Sequence, residues 1–266
     1  MIHKRTYEGY NIIETSLRQR LRGILQRQGV GYPAARQRGM HWCIEMGRFT
    51  VQNVGFQPAY RRLGNVALAR KVDLAREMLK GCSLCPRLCG VDRAAGETGY
   101  CGVEDRPFIS SYGPHFGEER PLVGRGGFGT IFMGGCNLGC MFCQNWTISH
   151  DREGHYIDES GLAAIMLGLE RAGCHNINIV TPTHQMPMIL GALSMAAERG
   201  LEVPLVYNCG GYESLEAVRL LEGVVDIYMP DLKYMDAEVS GRLSDAPDYP
   251  EAARAALREM HRQVGV

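Results

Sequence analysis

The sequence predicts an α/β fold, a partial parallel (β/α) barrel of the TIM-like kind preceded by a cysteine-rich helical and loop segment. Three observations predict it. From residue 129 onward, short apolar runs alternate with amphipathic stretches four times. Ahead of that rhythm, residues 81–129 are rich in Gly, Pro and Cys and keep no steady period. Seven of the ten cysteines fall into two tight sets, Cys82, Cys85, Cys89 and Cys101 in the irregular part and Cys136, Cys140 and Cys143 in the rhythmic part.

Taken in order, residues 1–56 read as a basic extension with little pattern. Within it "SLRQRLRGILQRQG" (16–29) predicts a short helix and "GYPAARQRG" a loop. Residues 57–128 read as a helix followed by a metal-stapled segment. The helix is "NVALARKVDLAREMLK" (65–80): Val66, Leu68, Ala69, Val72, Leu74, Ala75, Met78 and Leu79 follow a helical stripe, and Asn65 is placed to cap it. Residues 129–266 form the partial barrel. Its strands are "TIFMGG" (130–135), "NINIVTP" (176–182), "VPLVYNC" (203–209) and "VDIYMPDL" (225–232). The helices that follow them are 158–172, 186–199, 214–223 and 248–264. Strand–helix units in succession imply parallel strands with right-handed crossovers, and the chemistry of such folds sits at the carboxyl ends of the strands. The three clustered cysteines follow the first strand directly.

Composition bounds the function. Hydrophobic content of 45% and charged content of 22% are ordinary for a globular chain. The longest apolar stretch, "GLAAIMLGL" (161–169), falls far short of the roughly 20 residues of a spanning helix, so no membrane partner is expected. No secretory leader is read at the start, and the cytoplasm is the expected compartment. Net charge is zero but uneven: residues 1–80 carry 15 Lys+Arg against 5 Asp+Glu, and the remainder carries 14 against 24. The basic residues are scattered and no nucleic-acid motif accompanies them, which favours a solvated leader over a nucleic-acid arm. Clustered cysteines without an export signal point to metal ligation in a reducing compartment. Cys43, Cys174 and Cys209 stand apart and read as buried or idle thiols.

"CNLGCMFC" (136–143) spaces its thiols C-x3-C-x2-C. Structural zinc takes four ligands, commonly from paired C-x2-C knuckles, so a three-thiol loop matches it poorly. Ordinary ferredoxin clusters have a cysteine on every iron. A [4Fe-4S] cubane held by three cysteines leaves one iron without a protein ligand, able to take an outside one.

That stretch resembles the signature of the radical S-adenosylmethionine (SAM) superfamily. The resemblance implies that the open iron is chelated by the amino and carboxylate groups of SAM. The reduced cluster then cleaves the sulfonium reductively to methionine and a 5′-deoxyadenosyl radical, which abstracts a substrate hydrogen. From about Gln57 to the end, "CSLCPRLCGVDRAAGETGYC", "SYGPHFGEERPLVG", "GTIFMGGCNLGCMFCQNW", "NIVTPTH", "VYNCGGY" and "DIYMPDLKY" together resemble uncharacterised radical SAM proteins related to pyruvate formate-lyase activating enzyme. The resemblance implies a flavodoxin or ferredoxin as electron donor, and a glycine of a partner protein as one candidate substrate. Barrels of the superfamily commonly have six βα units where four are read here. The expectation is therefore a chain lacking about two C-terminal units.

Site residues follow from the same resemblance. Asn145 lies two residues past Cys143, where the activating enzymes also carry asparagine, and is expected to face the SAM pocket. Thr181, Thr183 and His184 stand where the superfamily usually has a "GGE"-like stretch that holds the SAM amino group. "TPTH" departs from that pattern, although its hydroxyls and imidazole are candidates for the same bonds. Thr183 reads equally well as an N-cap for the next helix. Asn208 stands near the position of an acidic residue in the activating enzymes. Asp231 and Lys233 match their Asp-x-Lys, where the lysine pairs with the SAM carboxylate and the aspartate orients it. The set Cys82, Cys85, Cys89 and Cys101, spaced C-x2-C-x3-C-x11-C, makes a closed four-thiol site for zinc or an auxiliary iron–sulfur cluster. "GRGGFG" (124–129) precedes its strand and reads as a turn and not a phosphate loop. Alternatives to the enzyme are a non-catalytic iron–sulfur or zinc protein for electron transfer or interaction, a zinc-dependent nucleic-acid module, and an inactive radical SAM fragment.

Overall fold

A computed structural model describes residues 55–118 and 120–265. The helix expected over 16–29, the loop after it and Cys43 lie outside the described residues. The elements in chain order are α1 (Ala59–Leu63), α2 (Asn65–Glu77), β1 (Phe108–His115), α3 (Arg120–Val123), β2 (Phe128–Met133), α4 (Trp146–Ser149), β3 (His155–Tyr156), α5 (Glu159–Arg171), β4 (Ile177–Val180), α6 (Met186–Glu198), β5 (Leu205–Cys209), α7 (Leu215–Leu220), β6 (Ile227–Pro230), α8 (Ala237–Ser244) and α9 (Tyr249–Val264). They build one six-stranded sheet in the order β3-β1-β2-β4-β5-β6. β2, β4, β5 and β6 run parallel, with Ile131 opposite Ile179 and Tyr207 opposite Tyr228. β1 and β3 add an antiparallel edge. The fold is mixed α/β with a mostly parallel sheet, as a partial βα barrel requires.

The alternation within each strand decides which face is dry. Ile131, Met133, Ile177, Ile179, Leu205 and Tyr207 point into the main core. There they meet Leu162, Met166 and Leu169 of α5, Ile189 and Leu193 of α6, and Val218 of α7. Burying a side chain of this size is worth about 1.5–3 kcal/mol, so this face carries much of the stability. Residues of the other register, Thr130, Asn178 and Asn208, are polar. Thr130 and Asn178 are buried and Asn208 is half-buried, and on the same face Leu122 and Val123 of α3 pack on Phe128, Val206, Ile227 and Met229. Caps start several helices: Asp158 accepts from Gly161 N–H, Ser214 from Ala217 N–H and Asp236 from Val239 N–H. Asp226 ties the beginning of α1 to the sheet by accepting from the N–H groups of Ala59 (2.8 Å) and Leu205 (3.0 Å).

Several details depart from the sequence reading. α2 buries Leu68, Val72 and Ala75, with Leu79 just beyond its end, but leaves Val66 and Leu74 exposed. Asn65 is the first helical residue, and Gly64 occupies the cap with no side-chain bond. Thr183 lies in a 3-10 turn, and the cap of α6 is Gln185. Strand β1 was not expected inside the irregular segment. Its outer residues are half-exposed and it contains Gly113 and Pro114, which an edge strand tolerates but which erase the period-two signal. Helix α8, between β6 and α9, was not expected either. Its eight residues, with Gly241 and two serines, give a weak helical pattern. The glycines of 124–129 form the turn between α3 and β2. Its Arg125 and Gly126 N–H groups donate to His175 Nε2, and a Cβ on Gly126 would overlap the Gly173 carbonyl.

Candidate functional site

Strand β2 ends at Met133 and delivers the chain, through Gly134 and Gly135, to Cys136. Two residues of the 3-10 turn after β4 hold this exit. Gln185 Nε2 donates to the carbonyls of Phe108 and Gly134 (2.9 Å each), while its Oε1 accepts from Phe108 N–H (2.7 Å). His184 Nε2 donates to the Gly134 carbonyl at 2.8 Å. Burial lowers the His184 pKa to about 4, so the ring is neutral.

The cysteine loop itself is pinned to the carboxyl end of α8. Gly139 N–H donates to Ser244 O (3.1 Å) and Met141 N–H to Leu243 O (2.9 Å), satisfying terminal carbonyls of that helix. Each thiol has its own donor. Leu138 N–H lies 3.4 Å from Cys136 Sγ, Ser244 Oγ 2.9 Å from Cys140 Sγ, and Ser149 Oγ 3.2 Å from Cys143 Sγ. Tyr234 OH, 2.5 Å from Ser244 Oγ, orients that serine. The three sulfurs also pack in one cluster with Leu138, Tyr212, Tyr234 and Tyr249. Burial pushes the Cys136 thiol up to about 12 and raises that of Cys140, so without a metal both carry protons at neutral pH. A metal centre displaces those protons on binding.

Asp231 and Lys233 follow β6 and stand beside this loop. Lys233 Nζ is 2.5 Å from Asp231 Oδ2. Burial works against the lysine's charge, but the Asp231 hydrogen bond and the neighbouring Cys140 and Cys136 sulfurs raise its pKa above the ordinary value. Tyr249 OH fixes the turn: it accepts from Lys233 N–H (2.9 Å) and lies 2.8 Å from the carbonyls of both Asp231 and Gly210. Asn208, at the end of β5, joins Asp231, Met229 and Pro230 in lining an open cavity of about 630 Å3 whose far wall is Leu122 and Glu118. That volume lies within the range of small-molecule sites. Thr181, just past β4, holds a left-handed backbone (φ 60°), its N–H donating to Asn208 O at 2.9 Å. A β-branched residue in that region is strained, a condition that collects at functional sites.

The predicted residues thus divide. Cys136, Cys140, Cys143, Asp231 and Lys233 come together, with Asn208 sharing a cavity with Asp231. Asn145 begins α4 with an exposed side chain that makes no capping bond. Thr183 and His184 are buried. Thr183 Oγ1 donates to Glu213 Oε1 at 2.6 Å, and Glu213 Oε2 accepts from Tyr207 OH at 3.1 Å. Burial raises the Glu213 pKa to about 7. Glu213, Gln185, Ser244 and Tyr249 were missed in the sequence. Glu213 carried a faint signal, an acidic residue directly after the "CGGY" turn of a βα junction. Cys174 and Cys209 are buried, as read.

The donor set fits an iron–sulfur cluster, which spreads its thiolates over separate irons and takes hydrogen bonds at its sulfurs. Among the described residues no group of three or more His, Cys, Asp or Glu side chains is placed to hold a metal ion. A mostly parallel βα sheet with a three-thiol loop after its first parallel strand is the arrangement of a radical SAM protein. The model of the Radical SAM superfamily matches residues 130–265, and the chain belongs to that superfamily. It is also similar to Uncharacterized protein MJ0674 of Methanocaldococcus jannaschii, with 35% identity over 187 residues. The matched region is 67% of this chain and 53% of that protein, so the chain spans about half the length of the curated relative it matches. The family implies a [4Fe-4S] cluster and SAM. Among the described residues no helix is long and apolar enough to cross a membrane.

Proposed function

We propose that this chain binds a [4Fe-4S] cluster through Cys136, Cys140 and Cys143 and cleaves SAM reductively to abstract hydrogen from a substrate. The observation that carries this reading is the trio of thiols, each with its own hydrogen-bond donor, beside the Asp231–Lys233 pair at the open end of the parallel sheet. When bound, the reduced cluster supplies the electron that breaks the sulfonium bond, leaving methionine and a 5′-deoxyadenosyl radical.

The chain's own residues bind and orient. Lys233 pairs with the SAM carboxylate, and Asp231 and Tyr249 hold the lysine in place. Asn208 offers its amide to the nucleotide from the cavity wall, and Asn145 offers an exposed amide just past Cys143. Thr181 offers its hydroxyl from the strained turn after β4. Thr183 and His184 act one layer back: Thr183 braces the turn through Glu213, and His184 braces Gly134, the residue that leads into the cysteine loop. Cys82, Cys85, Cys89 and Cys101 make a second metal site.

Met141, Phe142 and Trp146 on the loop, with Leu232 and Met235 beside the lysine, are large exposed apolar side chains. Such a rim suits contact with another protein. It supports docking of a protein, such as a flavodoxin or ferredoxin reductant or a substrate protein that presents a glycine.

The test is anaerobic reconstitution, chemical reduction and assay for 5′-deoxyadenosine, with spectra recorded before and after adding SAM. The expected result is SAM-dependent product and an altered cluster signal. A cluster-loaded protein that yields no product and whose signal ignores SAM would overturn the reading in favour of a plain electron carrier.

A further inference from the structure

The second cysteine set contains a feature that the radical SAM reading does not use. Arg93 is the largest fully buried side chain among the described residues. Its Nη1 donates to the His184 carbonyl and its Nη2 to the Glu104 carbonyl, both at 2.6 Å. Its Nε has no partner among the described residues. Among the described residues no carboxylate makes an ion pair with it; the side chain of Glu104 pairs with Arg106 instead. A buried cation without an anion is costly, and such charges persist only where something compensates them. The nearest candidate is sulfur: Nη1 lies 3.9 Å from Cys82 Sγ.

Cys85, Cys89 and Cys101 follow Cys82 on the same looped segment. Gly90 N–H, next to Cys89, donates to Cys82 O, Leu88 N–H donates to Cys85 O (3.1 Å), and Tyr100, next to Cys101, approaches Cys89, so the backbone brings the four cysteines into one neighbourhood. None is in a disulfide. The backbone folds to present N–H groups to them. Tyr100 N–H points at Cys89 Sγ (3.4 Å), while the N–H groups of Arg87 and Val103 serve Cys85 and Cys101. Leu88 and Gly90 both take positive φ (43° and 68°), turning Cys89 inward between them. Cys82 N–H to Val91 O (2.9 Å) and Gly90 N–H to Cys82 O (3.1 Å) close the loop.

We propose that Cys82, Cys85, Cys89 and Cys101 ligate a second [4Fe-4S] cluster, closed by four protein thiolates, with Arg93 as its buried counter-charge. This rests on the second metal site proposed above and assigns its occupant. Four thiolates around such a cluster carry net negative charge, the anion that Arg93 lacks. Three cysteines close together and a fourth at a distance is the spacing of iron–sulfur proteins, whereas structural zinc favours paired knuckles. A site closed by four thiolates has no open iron and does not take SAM.

The two loops touch. Arg87, between Cys85 and Cys89, donates through Nε to the Asn137 carbonyl at 3.0 Å, next to Cys136. Its guanidinium stacks on Tyr100 at 3.7 Å. Gly135 allows the approach from the other side, since a Cβ there would lie 2.7 Å from the Cys101 carbonyl oxygen. The closed cluster therefore braces the loop of the open one.

The test compares the full chain with a Cys136→Ser/Cys140→Ser/Cys143→Ser variant, each reconstituted anaerobically with iron and sulfide. The full chain should hold about eight irons and the variant about four, the content of one cubane. The variant's reduced cluster should give an electron paramagnetic resonance signal that SAM does not alter. In the full chain SAM should alter about half of the signal, a measurement that stands even if the triple variant fails to fold. Arg93→Met should lower the reduction potential of the SAM-insensitive cluster, because a nearby cation stabilises the more negative reduced form, and Arg93→Lys should restore part of it. About four irons in the full chain, all responsive to SAM, or one zinc without extra sulfide, would overturn the second cluster and leave the proposed function standing. About four irons in both proteins, none responsive to SAM, would support the second cluster and remove the first.

Discussion

The loop of Cys136, Cys140 and Cys143 and the segment from Cys82 to Cys101 both gather thiols, yet they are built by different means. The first loop takes most of its support from distant chain. Ser244 reaches Cys140 across 104 positions of sequence, α8 receives the loop N–H groups, and Lys233 arrives from the end of β6. The second segment is closer to self-contained, Tyr100 N–H reaching Cys89 Sγ across 11 positions and Arg93 reaching Cys82 Sγ across the same number, with that arginine fully buried. Under the proposals above, the first is a site that meets a ligand and the second a site that is closed: three thiolates on a cubane would leave one iron open, whereas four would leave none.

The largest expected effect comes from breaking the open site. Cys140→Ser should reduce SAM cleavage to background while leaving the iron of the other set in place, as read by iron analysis and 5′-deoxyadenosine assay. Loss of all iron on this single change would mean that the two sites are not separable.

Next comes the seam between them. Gly135→Ala puts a Cβ against the Cys101 carbonyl at a residue with φ 76°, a strain of about 1–3 kcal/mol. Thermal stability and the iron content of both sites should fall together. A variant with full iron and unchanged melting would show that the seam is loose.

Lys233→Met removes one charge from the open site alone. A hydrogen bond to a charged group is worth about 1.5–3 kcal/mol, so SAM affinity should weaken roughly 10- to 100-fold, measured by titrating the SAM-dependent spectral change. Equal affinity in the variant would withdraw the lysine from the SAM carboxylate.

Ser244→Ala is subtler. It removes the hydroxyl donor to Cys140 Sγ, which should lower the potential of the open cluster and slow SAM cleavage by about 10-fold, in the range of outer-shell partners. The potential of the closed cluster should not move.

The smallest effect is a pH dependence behind the sheet. Burial raises the Glu213 carboxyl from 4.5 to about 7. Between those values the folded chain keeps the proton and the unfolded chain releases it, so stability falls as pH rises through that window and is highest below it. Glu213→Gln, which keeps the polar partners, should flatten this slope in denaturation series at pH 5 and 7.5. An identical slope would place the titration elsewhere.

Much of this architecture was legible in the chain. The four parallel strands are dense in Ile, Val and Leu and are followed by amphipathic helices, a periodic signal that survives tertiary context. The thiol spacing and the "DLK" at the end of the fourth strand are local patterns, and the structure sets Lys233 against Asp231 beside the cysteine loop. β1 and α8 were not legible. An edge strand with Gly113 and Pro114 has no dry face to impose alternation, and a short helix of small polar residues carries little periodic signal.

By itself, then, the order of residues determined the parallel sheet, both sets of thiols and the strand ends where the chemistry sits, because each depends on neighbours near in sequence. Only the tertiary structure decided which hydroxyl reaches which sulfur, that Gln185 and His184 clamp the entrance to the first loop, and that Arg93 is buried beside Cys82 with no carboxylate paired to it among the described residues. Those contacts join positions 50 to more than 100 residues apart, or depend on burial, and no local pattern encodes either.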